Sequence, residues 1–268
     1  MSALLDSELK EQVLEENRRV HSLENAEYLS RHPEQTNRFQ QQVLKSTLDN
    51  FANHLGNPHS EILDVGCGTG YLYLPLMKRG FRLTGVDLSP TLLDVLEEKI
   101  PENKKETCRL VADDIEAFLN NTTQQFDGVV VSALLHHLFD YEAVVKLLCQ
   151  RLALGGTLLI FFEPLKQEIK SPLRFKLHRM LGGLDESAYE RGMIRRGVPL
   201  IQDDYEVADY QRQFGGICPK SLTKLIEGQG LRVLETQTYC ARRTGWAAWI
   251  ANNILGTCNT FNILAQKN

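Results

Sequence analysis

The stretch EILDVGCGTGYLYLPLMKRGFRLTGVDLS, Glu61 to Ser89, places Asp64 and then Gly66, Gly68 and Gly70 at alternate positions behind an apolar run, and closes a second apolar run with Asp87. Glycines at the end of a strand let the backbone turn sharply and approach a ligand with no Cβ in the way. A carboxylate ending the next strand can accept both hydroxyls of a ribose. Together they describe an adenosine-containing ligand lying across the carboxyl ends of adjacent strands. Dinucleotide sites use G-x-G-x-x-G, with a helix N-terminus facing a pyrophosphate. Here the spacing is G-x-G-x-G and Asp64 precedes it. An anion in that place opposes a pyrophosphate but suits a cationic amino-acid tail, which points to S-adenosylmethionine, whose methionyl end carries an ammonium group.

That cofactor is already activated, so the protein must mainly align a nucleophile with the methyl group and exclude water. A hydroxyl nucleophile also needs a base near its proton, and His is the usual one. The run LLHHL supplies His136 and His137 just beyond a predicted strand, on the rim where ligands bind in open parallel sheets. Only one of them can point inward, and the adjacent Leu138 favours His137. Tyr205, Tyr210, His21, Tyr28 and His32 are weaker candidates. There is no H-x-E with C-x-x-C and no carboxylate cluster at metal-ligand spacing, so a metal-independent reaction is expected.

These groups need a scaffold, and the pattern around them predicts one. Polar sequence with helical spacing of Leu, Val and Phe runs from about Ser2 to His54, and NPHS breaks it. Apolar runs at Ile62 to Val65, Leu83 to Val86, Arg109 to Ala112, FDGVVVSA and GTLLIFFE then alternate with helical stretches. Ser89 and Pro90 open one of these helices as N-cap and first residue. Asp140 opens another, with Val144, Val145, Leu148 and Leu152 on one face and Gly155 as its end. The expected fold is a Rossmann-like, doubly wound α/β sheet, mostly parallel with an antiparallel last strand. Its divisions are N-terminal helices closing the cofactor site (1–60), a cofactor-binding core (61–163), an inserted helical cap for the acceptor (164–220), and a helix with strands completing the sheet (221–268).

The chain has 268 residues, 43% of them apolar, which suffices for a full core. A net charge of -4 supplies no global cationic field, so tracking a nucleic-acid backbone is disfavoured. Six dispersed cysteines without a C-x-x-C pair suit reduced thiols in a cytoplasm. The first residues lack the basic start of a secretory signal, and no apolar stretch is long enough to span a bilayer. A cytoplasmic monomer or homodimer is expected.

The segments ILDVGCGTG, GVDLS, VADDIEAF, FDGVVVSALLHHL and LALGGTLLIFFEP resemble, in order, the successive motifs of class I S-adenosylmethionine-dependent methyltransferases, especially the ubiquinone-biosynthesis-like group acting on small molecules. The resemblance covers Glu61 to Pro164. It implies that Asp64 and the backbone around Gly66, Cys67, Gly68 and Gly70 hold the methionyl part, that Asp87 binds the ribose and that Leu88 packs on the adenine. It further implies that Asp114, or Asp113 in exchange with it, receives the adenine amino group beside Ile115, and that Ser132 lines the sulfonium region. The implied activity is methyl transfer to a small or medium organic acceptor, to oxygen in first place, leaving S-adenosylhomocysteine. A lipid-like or anionic acceptor, RNA, and a non-catalytic cofactor-binding protein are the alternatives. The fourth strand lacks the Asn-Pro-Pro-Tyr type of ending, which argues against exocyclic base amines and glutamine amides.

Between Pro164 and Leu200 eight Lys or Arg face four acids, a local +4 against -8 elsewhere. Within it SPLRFKLHRML reads as a basic amphipathic helix with Leu173, Leu177, Met180 and Leu181 on one face. A cap helix packed on that face is the expectation, and peripheral membrane contact with an amphiphilic acceptor is the alternative. The uncharged GWAAWIANNIL leaves Trp246 and Trp249 as walls of an acceptor pocket, as core, or as an interface.

Overall fold

The computed structural model describes residues 2–24, 31–166, 169–198 and 207–268, with side chains of the first helix from Asp6 to Val20. Seven strands form one sheet in the order β3-β2-β1-β4-β5-β7-β6. They are β1 (Glu61–Val65), β2 (Arg82–Asp87), β3 (Cys108–Ala112), β4 (Phe126–Ser132), β5 (Leu152–Pro164), β6 (Leu231–Tyr239) and β7 (Thr260–Lys267). β1 to β5 pair in parallel, and β7 slots antiparallel between β5 and β6. This is the expected mostly parallel sheet with an antiparallel last strand. The central strands are buried on both faces, which explains their unbroken apolar runs.

Two buried clusters cover the faces. One gathers Val65, Val131, Leu148 and Phe261, and the other Phe51, Leu76, Val130 and Phe161. The chain order reverses between β1 and β4, and that switch point opens a crevice at the strand carboxyl ends. Ser89 caps the helix Pro90–Glu97 by accepting from Leu92 N, as its sequence context predicts. Asp140 likewise caps Tyr141–Arg151 through Ala143 N.

Two expectations are corrected. The helix after Asp140 ends at Arg151, not at Gly155, because Leu152 is the first residue of β5 and pairs with Phe126. Leu152 is therefore buried as strand, and Gly155 (φ +75°) serves the bulge that follows. The helix opened by Ser171 and Pro172 runs on through Gly182 and Gly183 to Arg196, and Leu173, Leu177 and Met180 lie outward while Leu181 is buried. The two tryptophans are 47% and 55% exposed, so they are not core.

Candidate functional site

β1 stops at Val65 and the chain turns at once through Gly66 (φ +70°) and Gly68 (φ +46°), conformations that side-chain-bearing residues disfavour. The turn aims amides at β2: Gly66 N and Cys67 N donate to Val86 O at 2.8 and 3.2 Å, and Gly68 N donates to Asp87 Oδ2 at 2.8 Å. Asp87 Oδ1 accepts from Ser89 N at 2.9 Å. Both carboxylate oxygens are thus fixed in place by backbone amides.

A cavity of about 520 Å³ opens over this turn. Asp64, Gly66, Cys67, Gly68, Asp87 and Leu88 form its floor, and Asp114, Ile115, Ser132 and His137 stand around it. The helix Ser2–Glu24 closes one side with Val13, Leu14 and Asn17. Gly70 and Asp113 do not line it. A Cβ on Gly70 would come within 2.6 Å of Leu96 and 2.8 Å of Leu74, so glycine there serves packing. Asp113 Oδ1 accepts from Asp114 N at 2.8 Å, while Asp114 caps the helix Ile115–Asn121 through Ala117 N.

The electrostatics of the floor are unbalanced. Asp64 is 1% exposed, and burial together with the nearby Asp87 pushes its carboxyl up to about 8. Asp64 Oδ2, Thr69 Oγ1, Ser132 Oγ and Asn17 Oδ1 are buried without a hydrogen-bond partner, and all four residues line the cavity. Orphaned acceptors converging on one space are completed by a ligand that brings donors. An ammonium and ribose hydroxyls are donors of that kind, so this chain's residues fit S-adenosylmethionine.

The two histidines take different places. His136 is buried, does not line the cavity, and its Nδ1 donates to Glu163 Oε2 at 2.9 Å. Glu163, fully buried, also accepts from the amides of Leu134 and Leu135 at 2.8 and 2.9 Å and of His136 at 3.3 Å. Ala133, in the left-handed region (φ +50°), makes the turn that aims these amides. His137 lines the cavity, and its Nδ1 lies 2.9 Å from Ala208 O and 3.3 Å from Asp209 Oδ1. A carbonyl oxygen only accepts, so in that bond Nδ1 is the donor. His136, His137 and Asp209 bring ligand-type atoms within 4.8 Å of one another, and hydrogen bonds and ion pairs with Glu163, Ala208 O and Arg212 account for them.

Of the weaker candidates, Tyr210 packs at a tilt against Phe139 and edge-to-face against Phe214, and His32 pairs with Glu34 at 2.9 Å. Tyr28, Tyr205 and the side chain of His21 lie outside the described residues. Sequence reasoning missed Glu163 and Asp209. Glu163 carried a signal, since a carboxylate ending a doubly buried strand must find donors. Asp209 carried none, because its contact with His137 spans 72 residues of chain.

Residues 62–156 match the model of a methyltransferase domain family. A ubiquinone biosynthesis O-methyltransferase of Coxiella burnetii (strain Dugway 5J108-111) is 32% identical over 174 residues, 65% of this chain and 64% of the relative. One from Methylococcus capsulatus is 38% identical over 41% of this chain and 46% of its own length. The match to the Coxiella relatives spans just under two thirds of their length. Among solved structures, the magnesium protoporphyrin IX methyltransferase of Synechocystis PCC 6803 with bound S-adenosylhomocysteine aligns with a TM-score of 0.56 at 16% identity, over 94% of this chain and all of that one. The [4+2]-cyclase SpnF aligns with a TM-score of 0.55 at 16% identity, over 85% and 82%, so the shared architecture alone does not decide the reaction.

Proposed function

Because the chain carries a class I S-adenosylmethionine-dependent methyltransferase domain, we propose that it transfers the methyl group of S-adenosylmethionine to a hydroxyl of a small or medium organic acceptor. The single observation that carries the reading is the cavity in which Asp64 and Asp87 lie on the floor and His137 stands on the wall. Bound there, the cofactor supplies an electrophilic methyl group on a sulfonium. Asp87, held by the amides of Gly68 and Ser89, accepts the ribose hydroxyls. Asp64 takes the ammonium, and Ser132 faces the methionyl end. Leu88 and Ile115 flank the adenine, and Asp114 accepts from its amino group.

His137 is the base of this reading. With Nδ1 held by Ala208 O, Nε2 receives the acceptor's hydroxyl proton as the oxygen attacks. His136, tied to Glu163 behind the wall, fixes the turn that carries His137 and touches no reactant. The N-terminal helix excludes water through Val13 and Leu14. Work in a reducing cytoplasm agrees with six cysteines, none of which is bridged.

The experiment is calorimetric titration with S-adenosylmethionine and S-adenosylhomocysteine, beside Asp87→Ala. Micromolar binding that the variant loses supports the site, and a 14 Da mass gain per acceptor hydroxyl, expected on the order of one CH₂ per turnover, supports the reaction. No binding of either ligand overturns it.

A further inference from the structure

Residues 207–217 run as a strap beside the turn that carries His136 and His137, and they are sewn to its neighbours. Gln211, buried, donates through Nε2 to Leu138 O at 2.8 Å and to Phe139 O at 3.1 Å, and the Tyr210 ring packs 5.3 Å from that of Phe139. Further on, Ile217 N donates to Pro164 O and Lys166 N to Ile217 O, both at 2.9 Å, which ties the strap to the end of β5. Gly216 (φ +96°) permits that approach, since a Cβ there would lie 2.9 Å from Pro164 O. The strap is therefore fixed by bonds that do not involve the histidine rings, and what it presents to them is held in advance.

It presents two acceptors to one nitrogen. Ala208 O takes the hydrogen bond from His137 Nδ1 at 2.9 Å, and Asp209 Oδ1 stands 3.3 Å from the same nitrogen. The carbonyl suffices to set the donor nitrogen and the angle of the ring. What the carboxylate adds is charge, and its effect grows when the ring becomes cationic. Local uses of Asp209 do not account for its place. It precedes the short helix Tyr210–Phe214 but makes no capping bond with its side chain, and Arg212, whose Nε reaches Oδ2 at 3.0 Å, has a side chain 59% exposed, so that pair is screened by solvent. His136 Nε2 is farther away, at 3.7 Å, and that ring is already held by Glu163. Of the two rings, His137 is the one that lines the cavity.

We propose that Asp209 is a positioning residue of the methyl transfer proposed above, on which this inference rests: acting at Nδ1, it stabilises the imidazolium that His137 becomes on taking the acceptor's hydroxyl proton. The proton leaves the hydroxyl for His137 as an oxygen lone pair forms its bond to the methyl carbon, the carbon–sulfur electron pair stays on sulfur, and Asp209 neither gains nor loses a proton. The rings of His136 and His137 are 4.0 Å apart, so a positive charge on one opposes a charge on the other and an anion at the second nitrogen carries more weight. The charged groups around His137 are His136 with Glu163 behind it, Asp209 with Arg212 on its other oxygen, and, lining the same cavity, Asp140, Arg18 and the acids of the floor.

The first test is a histidine titration. In full-length protein labelled with ring-carbon-13 histidine, the seven imidazoles are followed against pH by nuclear magnetic resonance, and His137→Gln identifies the signal of His137. Asp209→Asn should lower the midpoint of that signal by about one pH unit, because an anion beside the ring favours its charged form. Arg212→Gln should raise it by less, because Asp209 then loses the guanidinium that shares its charge. A loosened strap would move both variants the same way, so an unchanged midpoint in Asp209→Asn, or shifts of one sign in the two variants, overturns the proposal. Methyl transfer gives a second readout, with phenol and 4-nitrophenol as probe acceptors. Phenol keeps its proton near neutral pH and needs a base, whereas 4-nitrophenol is largely ionised in weakly alkaline buffer. Asp209→Asn should slow methylation of phenol about tenfold or more through kcat, with KM little changed, and that of 4-nitrophenol about twofold at most, and Asp209→Glu should restore part of the phenol rate. Equal losses on the two probes overturn the proposal in favour of a structural role. The titration is read without cofactor or acceptor, and S-adenosylhomocysteine binding by calorimetry is read without proton transfer, so failure of this inference is distinguishable from failure of the methyltransferase reading.

Discussion

Asp64 shows how a single buried charge couples binding to pH. Its carboxyl titrates near 8 in the folded protein against an ordinary 3.8, because it is desolvated and faces Asp87. The folded state therefore holds a proton that the unfolded chain has lost, so this residue's effect is to lower stability progressively as pH rises from about 4 to about 8. An ammonium seated against it favours the carboxylate, and cofactor binding should expel close to one proton at about pH 6 to 7. Calorimetry in buffers of different ionisation enthalpy counts that proton. Asp64→Asn should abolish the release and weaken binding, and a wild type that releases none contradicts the assignment of Asp64 to the ammonium. His137→Ala is expected to cut turnover by about 10²–10⁴-fold with S-adenosylhomocysteine affinity unchanged. Loss of less than tenfold would remove His137 as the base.

At the scale of elements, the informative features are the ones that hold a helix against its hydrophobic preference. Asp185 accepts two backbone amides and the Thr244 hydroxyl, which at 2.5 Å is the shortest of the three bonds. Removing it leaves those donors buried, so Asp185→Ala should cost about 2–4 kcal/mol in chemical denaturation. Asp185→Asn should cost less, since its carbonyl still accepts. The N-terminal helix shows the opposite logic. Val13, Asn17 and Val20 are buried at i, i+4 and i+7, and Asn17 Nδ2 donates to His137 O at 3.2 Å. That helix packs in part on space the ligand fills, so hydrogen exchange within residues 6–20 should slow when S-adenosylhomocysteine binds, whereas β4 and β5 should not change. Equal protection with and without ligand would show that the helix is not part of the closed site.

At the scale of the molecule, the division between what is legible in sequence and what is not follows the range of the interactions. Apolar runs, a capping Ser89 and Asp140, and the glycine turn beside Asp64 depend on neighbours a few residues away, so the strands, the mostly parallel sheet and the turn were open to prediction. Even there the boundary at Leu152 was misplaced, because pairing with Phe126 outweighs a helical face that Leu152 would also fit. The facing of Leu173, Leu177 and Met180 was not legible, since it rests on His178 and Asp185 meeting Thr257 and Thr244 across dozens of residues. The division of labour between His136 and His137 likewise turns on Glu163 and Asp209. By itself, then, the sequence determined the fold class and the kind of cofactor, through short-range pattern and glycine stereochemistry. Only the tertiary structure decided which histidine meets the cavity and which helix face meets solvent, because those are settled by hydrogen bonds between residues that the chain brings together only when folded.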